Sequence, residues 1–275
     1  MNKTTVPVNR GTLAFDSAGA GEPMLLIHGL GSFRGAWDPI TSDLAERFNV
    51  VRVDLPGHGD SPRLQPGDAA TALGLADTIS RWLATNQLED AHVVGSSLGG
   101  WIALELARMG KARSATALAP AGFWRSGVVP LVAHANRWAA RVADPAAPLL
   151  LRVDRLKSIG FWTSSAHPEL LDRGLVLAAT QAQSRSSGWA AAIAATHGRQ
   201  CQAADIDASI PVTAVWGDRD RILPVNSCQE PEGLPRHARW IRLRDCGHVP
   251  MWDQPEQSVN LIIQTAAAAR KLSSS

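Results

Sequence analysis

The chain of 275 residues is almost balanced in charge, with 27 Lys and Arg against 25 Asp and Glu. A net charge of +2 is too small for binding nucleic acid through charge alone, and 45% hydrophobic with 19% charged residues is typical of a packed globular protein rather than a disordered chain. No apolar run reaches the ~18 residues that a membrane span needs, and the N-terminus has no signal-peptide pattern, so we expect a cytoplasmic protein.

The N-terminal half alternates short apolar runs with longer amphipathic stretches. The apolar runs are partly β-branched and are closely followed by Gly, Pro or Asp, which is typical of strands buried on both faces of a parallel sheet. These predicted strands cover residues 24–27, 50–53, 91–94 and 115–118. The predicted helices cover residues 37–48, 68–86 and 98–109. Alternation at this spacing indicates βαβ units with right-handed crossovers.

Residues 125–205 differ from the rest of the chain, because they have no clear strand and many alanines. Their scattered Pro and Gly residues indicate short helices. Two further strands and a closing helix then resume the pattern, at residues 210–216, 239–243 and 254–271. We therefore predict a core domain in two parts with a helical lid inserted over the carboxyl edge of the sheet, where α/β sheets place their ligands. The predicted parts are residues 1–124 (core), 125–205 (lid) and 206–275 (core).

A G-x-S-x-G motif follows the third predicted strand and opens a helix, with Ser97 at its centre. A serine that projects from the edge of a sheet needs a strained turn, and only small residues two positions away, here Gly95 and Gly99, avoid a clash. The helix N-terminus directs unpaired N–H groups at the same place, so the N–H of Leu98 can stabilise an oxyanion. Ser97 is therefore the predicted nucleophile.

A serine nucleophile needs a histidine base and an orienting carboxylate. His248 lies on the loop after the strand at residues 239–243, where Gly247 frees the backbone, and it is the predicted base. The loop after the preceding strand offers two candidates for the acid. Asp220 lies further out and can reach a histidine on the next loop, whereas Asp218 is better placed to cap the turn.

The first predicted strand runs into the glycine-rich sequence His28-Gly29-Leu30-Gly31. A loop of this kind presents backbone N–H groups to an anion, and the N–H of Leu30 is the natural partner of that of Leu98. We expect His28 to fix the loop by a hydrogen bond.

No dinucleotide or P-loop motif is present, and the three cysteines have neither metal-ligand spacing nor the number that a disulfide framework needs.

Together these stretches resemble the α/β-hydrolase fold superfamily. The matching sequences, in the order of the family, are His28-Gly29-Leu30-Gly31, Asp54-Leu55-Pro56-Gly57-His58-Gly59-Asp60-Ser61, Gly95-Ser96-Ser97-Leu98-Gly99-Gly100, Trp216-Gly217-Asp218-Arg219-Asp220 and Gly247-His248-Val249-Pro250. The resemblance implies an α/β fold whose eight-stranded, mostly parallel sheet is flanked by helices, with the lid between the sixth and seventh strands. It implies Ser97 as nucleophile, Asp220 as acid and His248 as base. It also implies an oxyanion hole at Leu30 and Leu98. It implies that the protein uses neither a metal nor an organic cofactor.

The same resemblance limits the reactions that we expect the protein to catalyse. Epoxide hydrolases and haloalkane dehalogenases of this fold have an aspartate where Ser97 stands, and the epoxide hydrolases use lid tyrosines, of which this chain has none. We expect a serine esterase that cleaves carboxylic esters through an acyl-enzyme. The alternatives are a carbon–carbon hydrolase of aromatic ring cleavage, a cofactor-free perhydrolase that uses the same three residues, and a non-catalytic small-molecule receptor.

The predicted substrate is a small or medium hydrophobic ester, because the lid is rich in Ala, Leu and Trp. The candidate pocket residues are Phe33, Trp37, Trp124 and Trp162. We expect no nucleic-acid partner and no membrane span, and the sequence leaves open whether the protein is a monomer or a homodimer.

Overall fold

The fold is described from a computed structural model that covers residues 4–5, 13–124, 131–229 and 231–273. The strands are β1 (Thr4–Thr5), β2 (Phe15–Ala18), β3 (Glu22–Ile27), β4 (Phe48–Val53), β5 (His92–Ser96), β6 (Ser114–Leu118), β7 (Val212–Gly217) and β8 (Arg239–Leu243). The helices are α1 (Asp38–Ala45), α2 (Ala72–Thr85), α3 (Leu98–Arg108), α4 (Val132–Ala143), α5 (Ala147–Leu150), α6 (Asp154–Phe161), α7 (Arg173–Arg185), α8 (Trp189–Thr196), α9 (Val225–Cys228), α10 (Pro250–Asp253) and α11 (Pro255–Ser273).

The strands form one sheet in the order β1-β2-β4-β3-β5-β6-β7-β8. All neighbours from β4 to β8 pair in parallel, whereas β2 pairs antiparallel with β4 and the two-residue β1 with β2. The predicted α/β fold with a mostly parallel sheet is therefore confirmed. Strand β2 was not predicted, because its sequence Phe-Asp-Ser-Ala is short and carries no run of apolar residues.

Two apolar cores lie on the opposite faces of the sheet. Successive residues of a strand point to opposite faces, so Leu25 and Ile27 pack with α2 and α3, while Met24 and Leu26 pack with α1 and α11. Burial on both faces explains why the central strands are mainly apolar. The two cores hold the carboxyl ends of β3, β5, β7 and β8 at one edge of the sheet, where four loops meet.

The residues between β6 and β7 contain helices α4 to α8, and we call residues 131–205 the helical segment. The first part of the predicted lid, residues 125–130, lies outside the described residues. A small apolar cluster of its own packs inside the segment, at Ala147, Leu151, Leu171 and Val176. Backbone hydrogen bonds attach it to the core, from the N–H of Gly188 to the oxygen of Gly57 at 2.9 Å and from that of Val249 to the oxygen of Ser164 at 3.1 Å.

Two buried cations tie the helices of the segment together by donating to backbone carbonyl oxygens. Arg137 donates to the carbonyl oxygens of Gln183 and Ser186, each at 2.7 Å, which satisfies the end of α7. Lys157 donates to the carbonyl oxygens of Glu169 and Leu171 at 2.7 and 2.9 Å. Within the described residues no helix is long and apolar enough to cross a bilayer.

Candidate active site

Ser97 occupies the turn between β5 and α3 in a backbone conformation that non-glycine residues rarely adopt. Its φ is 55° and its ψ is −116°. A β-carbon on Gly95 would overlap the carbonyl oxygen of Gly99, and one on Gly99 would overlap that of Ile27. The strain is held in place by a hydrogen bond from the Ser97 N–H to the oxygen of Leu118 at 2.9 Å. The spacing of the two glycines is thus a steric requirement of the turn.

His248 and Asp220 come together from the loops after β8 and β7. The Nδ1–H of His248 donates to Oδ2 of Asp220 at 2.8 Å, and the other carboxylate oxygen accepts from the N–H groups of Ile222 and Leu223 at 2.8 and 2.7 Å. Both carboxylate oxygens are therefore fixed, and the Asp220 side chain is fully buried. This arrangement leaves Nε2 of His248 as the proton acceptor.

The competing carboxylates near His248 have other partners. Oδ1 of Asp218 accepts from the N–H of Cys246 at 3.3 Å, which is the turn-capping role expected for it. Asp245 has a φ of 56° and pairs with Arg219 and His167 at 2.5 and 2.9 Å. The structure thus places Asp220, and neither of these two, against the imidazole of His248.

A further carboxylate, Asp253, which was not among the predicted site residues, holds the His248 loop. Its Oδ2 accepts from the N–H groups of Gly247 and Ala166 at 2.6 and 2.9 Å, and its Oδ1 accepts from the Ser165 hydroxyl at 2.5 Å. One side chain thereby joins the His248 loop to the helical segment. The signal is weak in the sequence, because Ser165 and Asp253 are 88 positions apart.

The loop after β3 lies beside Ser97. A β-carbon on Gly29 would come within 3.0 Å of Cβ of Ser97, and the N–H of Ser32 closes a turn by donating to the oxygen of Gly29 at 3.1 Å. This turn leaves the N–H of Leu30 without a carbonyl acceptor among the described residues. The N–H of Leu98, the first residue of α3, points out of the helix N-terminus.

The loop is fixed by His28, as expected. Its Nδ1–H donates to the oxygen of Gly29 at 2.7 Å, and its Nε2 accepts from the N–H of Leu55 at 3.0 Å. Complete burial lowers the pKa of His28 from 6.5 to about 4. The ring is therefore neutral at pH 7 and serves to join two loops.

A cavity of about 390 Å³ opens at this edge of the sheet, and Ser97, His248, Leu30 and Leu98 all line it. Its lining is mainly apolar, and helices α4 to α8 contribute much of it. The polar side chains that the helices add are Asn136, Thr180, Gln183 and Thr196. Four loops and the helical segment thus enclose one space that is large enough for a small organic molecule.

Three of the four aromatic residues expected to line the pocket do not do so. Trp124 lines the cavity, with its indole N–H bonded to the oxygen of Arg199 at 2.9 Å. Trp37 is fully buried in the core beneath α1, and Phe33 packs against the same core. Trp162 points outward, 56% exposed, with the guanidinium of Arg221 over its ring at 4.6 Å. The expectation is corrected for these three, because position along the chain does not reveal side-chain direction.

Residues 24–261 match the sequence model of the alpha/beta hydrolase family. The chain belongs to this family. The superfamily resemblance predicted from the sequence is thereby confirmed, and membership supports hydrolase activity. Within the described residues no group of three or more His, Cys, Asp or Glu side chains is placed to hold a metal ion.

Relatives of this alpha/beta hydrolase include proteins named for different reactions. A pimeloyl-[acyl-carrier protein] methyl ester esterase of Methylococcus capsulatus is 30% identical over 274 residues, covering 94% of this chain and 99% of that protein. The epoxide hydrolase EphH of Mycobacterium tuberculosis is 32% identical over 217 residues, covering 68% and 91%. The solved structure of an enol-lactonase from Burkholderia xenovorans is similar with a TM-score of 0.74, at 19% identity and 96% and 100% coverage, which is a likeness of fold.

Proposed function

We propose that the protein is a serine esterase that hydrolyses carboxylic esters of small to medium hydrophobic substrates through an acyl-enzyme. The observation that carries the proposal is the strained turn of Ser97, which opens into the same apolar cavity as His248, whose Nδ1 is held by Asp220 at 2.8 Å. A structural serine does not need a φ of 55°, whereas a nucleophile raised above the sheet edge does.

Acylation begins when Oγ of Ser97 attacks the ester carbonyl and Nε2 of His248 takes its proton. The carbonyl oxygen then carries the negative charge, which the N–H groups of Leu30 and Leu98 stabilise, each by ~3 kcal/mol. The carbon–oxygen bond to the leaving alcohol breaks as His248 returns the proton to it. Asp220 stabilises the imidazolium that forms between these two steps.

Deacylation repeats the sequence with water. His248 takes a proton from water, the resulting hydroxide attacks the acyl carbonyl, and the same two N–H groups bind the oxyanion. Collapse of this intermediate breaks the bond to Oγ of Ser97, which recovers its proton from His248. The products are the carboxylic acid and the free enzyme, and no cofactor takes part.

The apolar lining supports a hydrophobic acyl or alcohol group as the preferred substrate. Small side chains of α4, among them Ala139, Ala140 and Ala143, leave the space that such a group would fill. In this proposal residues 125–205 act as the lid that closes the site. The polar side chains nearby, such as Gln183, would contact the ester itself.

The named relatives suggest other reactions for comparison. Epoxide hydrolysis on this fold uses an aspartate nucleophile and lid tyrosines, whereas position 97 is a serine and the chain has no tyrosine. A carbon–carbon hydrolase is the second candidate, since Trp252 and His248 line the same cavity. A vinylogous 1,5-diketone substrate distinguishes it from an esterase, because only the carbon–carbon hydrolase would cleave it.

The decisive experiment is turnover of p-nitrophenyl esters of graded chain length by the wild type and by Ser97→Ala. We expect multiple turnover by the wild type and a loss of about 10⁴-fold in kcat/KM for the variant with unchanged thermal stability. A single stoichiometric burst would instead indicate a receptor. Retained turnover in Ser97→Ala would refute the nucleophile, and equal rates at all chain lengths would refute the apolar acyl site.

A further inference from the structure

The helical segment exposes large apolar side chains that a lid core would bury. Among the described residues ten large hydrophobic side chains are exposed, and nine of them lie between positions 131 and 170. Isolated exposed side chains are ordinary on a soluble protein, whereas a concentration of this kind marks an interaction surface. We call six of them the apolar rim: Trp138, Val142, Leu149, Leu156, Ile159 and Trp162.

The apolar rim lies on helices α4, α5 and α6 and on Trp162, which follows α6. Trp138 and Val142 are one turn apart on α4, and Leu156 and Ile159 are one turn apart on α6, so each pair shares a helix face. Hydrogen bonds between the Asn136 amide and the Thr163 hydroxyl, at 2.9 and 3.2 Å, join α4 to the turn that follows α6. The side chains therefore lie on segments that contact each other directly.

This surface is continuous with the cavity of the candidate active site. Leu156 and Ile159 line the cavity and are also 41% and 66% exposed. They therefore stand at its mouth, while the other four side chains of the apolar rim lie on the exposed surface of the same helical segment. An apolar molecule that contacts Leu156 and Ile159 therefore lies at the entrance of the cavity.

The charges within residues 131–162 complement an anionic partner. Three arginines of this stretch are exposed and have no acidic partner among the described residues: Arg141, Arg152 and Arg155. The two acids of the stretch are neutralised, because Asp144 pairs with Arg185 at 3.0 Å and Asp154 with Arg173 at 3.1 Å. Apolar side chains interspersed with free arginines are typical of a surface that lies in the headgroup region of an anionic bilayer.

We propose that the apolar rim docks on an anionic lipid–water interface and receives hydrophobic substrate directly from it. Tryptophan and aliphatic side chains enter the boundary between headgroups and acyl chains, and the arginines bind the anionic headgroups. Docking in this orientation presents the mouth of the cavity to the lipid. The proposal concerns a peripheral contact, and it does not depend on which bond the enzyme hydrolyses.

Flotation of the full-length protein with vesicles tests the docking. The probes are vesicles of phosphatidylcholine alone and vesicles that also contain phosphatidylglycerol. The double variant Trp138→Ser/Leu149→Ser removes two exposed side chains that do not line the cavity, and Leu73→Ser, 46% exposed on α2, is the matched control. Arg152→Glu/Arg155→Glu tests the charge, and Ser97→Ala tests binding without catalysis.

We expect binding to the phosphatidylglycerol vesicles that falls at least about tenfold in the double variant and in the charge-reversed variant, and that is unchanged in Leu73→Ser and Ser97→Ala. Hydrolysis of a soluble short ester should be unchanged in the double variant. Absence of vesicle binding by the wild type would overturn the proposal, as would equal binding to both vesicles or an equal loss in Leu73→Ser. The proposal would also be overturned if sedimentation showed that the wild type is a dimer and the double variant a monomer, since the rim would then bind a second copy of the chain.

Discussion

Gln183 of α7 lies directly against Gly31, since a β-carbon on Gly31 would overlap the side-chain oxygen of Gln183. Gly31 also has a φ of 73°, a conformation that glycine adopts without strain. The helical segment thus contacts the loop that carries the N–H of Leu30. This contact makes the geometry of that loop dependent on the position of α7.

Replacing Gly31 therefore tests the coupling between α7 and the loop. We expect Gly31→Ala to lower kcat/KM for a p-nitrophenyl ester by about tenfold or more, because the new β-carbon displaces Gln183 and strains the turn. Gly67→Ala is the control, since Gly67 has a φ of 96° but no atom near its added β-carbon. Equal losses in the two variants would mean that strain alone, and not the contact with Gln183, lowers activity.

The assignment of the acid is tested by a pair of neutral replacements. Asp220→Asn should lower kcat by about 10³–10⁴-fold, because the amide can no longer orient and stabilise the imidazolium of His248. Asp218→Asn should stay within a few-fold of the wild type, since its carboxylate accepts one long hydrogen bond of 3.3 Å from Cys246. Steady-state kinetics on both variants distinguish the two aspartates. The reverse pattern would show that Asp218, and not Asp220, orients His248.

Asp253 should act as a positioning residue for His248. In the wild type, both carboxylate oxygens of Asp253 accept hydrogen bonds, whereas in Asp253→Asn an NH₂ group would replace one oxygen and face a donor. We therefore expect kcat to fall about tenfold while KM changes less than twofold. Asp253→Glu, which keeps the charge, should recover part of the rate. If Asp253→Asn raised KM and left kcat unchanged, Asp253 would shape the pocket and would not position the base.

Chain-length preference should depend on the small side chains of α4. Ala140 lines the cavity, so Ala140→Leu is expected to lower kcat/KM for longer p-nitrophenyl esters at least fivefold more than for the acetate. Ala135→Leu adds the same volume at an exposed position of the same helix and is the control. A uniform loss across the ester series in Ala140→Leu would contradict this placement of the acyl group.

Two buried histidines predict a loss of stability in mild acid. Burial lowers the pKa of His28 from 6.5 to about 4, and burial together with the charge of His28 lowers that of His58 from 6.5 to about 3. Below pH 6.5 the unfolded chain binds protons that the folded protein does not bind. The free energy of unfolding therefore falls as the pH falls, by about 2 kcal/mol at pH 5 for each histidine.

Urea unfolding at pH 7 and pH 5 measures this loss. His58→Gln should remove one of the two contributions and make the free energy of unfolding less dependent on pH, even though the variant is less stable at pH 7. The assignment to these histidines would be contradicted if the wild type were equally stable at both pH values. The same conclusion would follow if His58→Gln left the pH dependence unchanged.

The core of the fold was predictable because its signals are local. Parallel strands buried on both faces are mainly apolar, as residues 24–27 are, and helices between them must alternate with them along the chain. Strand β2 lacked such a signal, since Asp16 and Ser17 stand in the middle of its four residues. Its place in the sheet depends on antiparallel pairing with β4, a contact between distant segments.

The candidate nucleophile was also visible in the chain, because the strained turn of Ser97 requires glycine at fixed positions on both sides. The pocket was not visible in this way. Trp37, Trp124 and Trp162 are chemically the same, yet one lies in the core, one in the cavity and one at the surface. Which environment each receives depends on how the helices of the segment pack, and no short motif encodes that packing.

By itself the sequence determined the alternation of strands and helices, the turn at Ser97 and the presence of a histidine and two aspartates on the following loops. These features follow from steric limits and periodicity, which act over a few residues. Only the tertiary structure decided that Asp220 faces His248, that Asp253 joins the His248 loop to Ser165, and that the helical segment leaves an apolar rim exposed. Such pairings depend on where separate elements come together, and chain connectivity alone leaves many of them open.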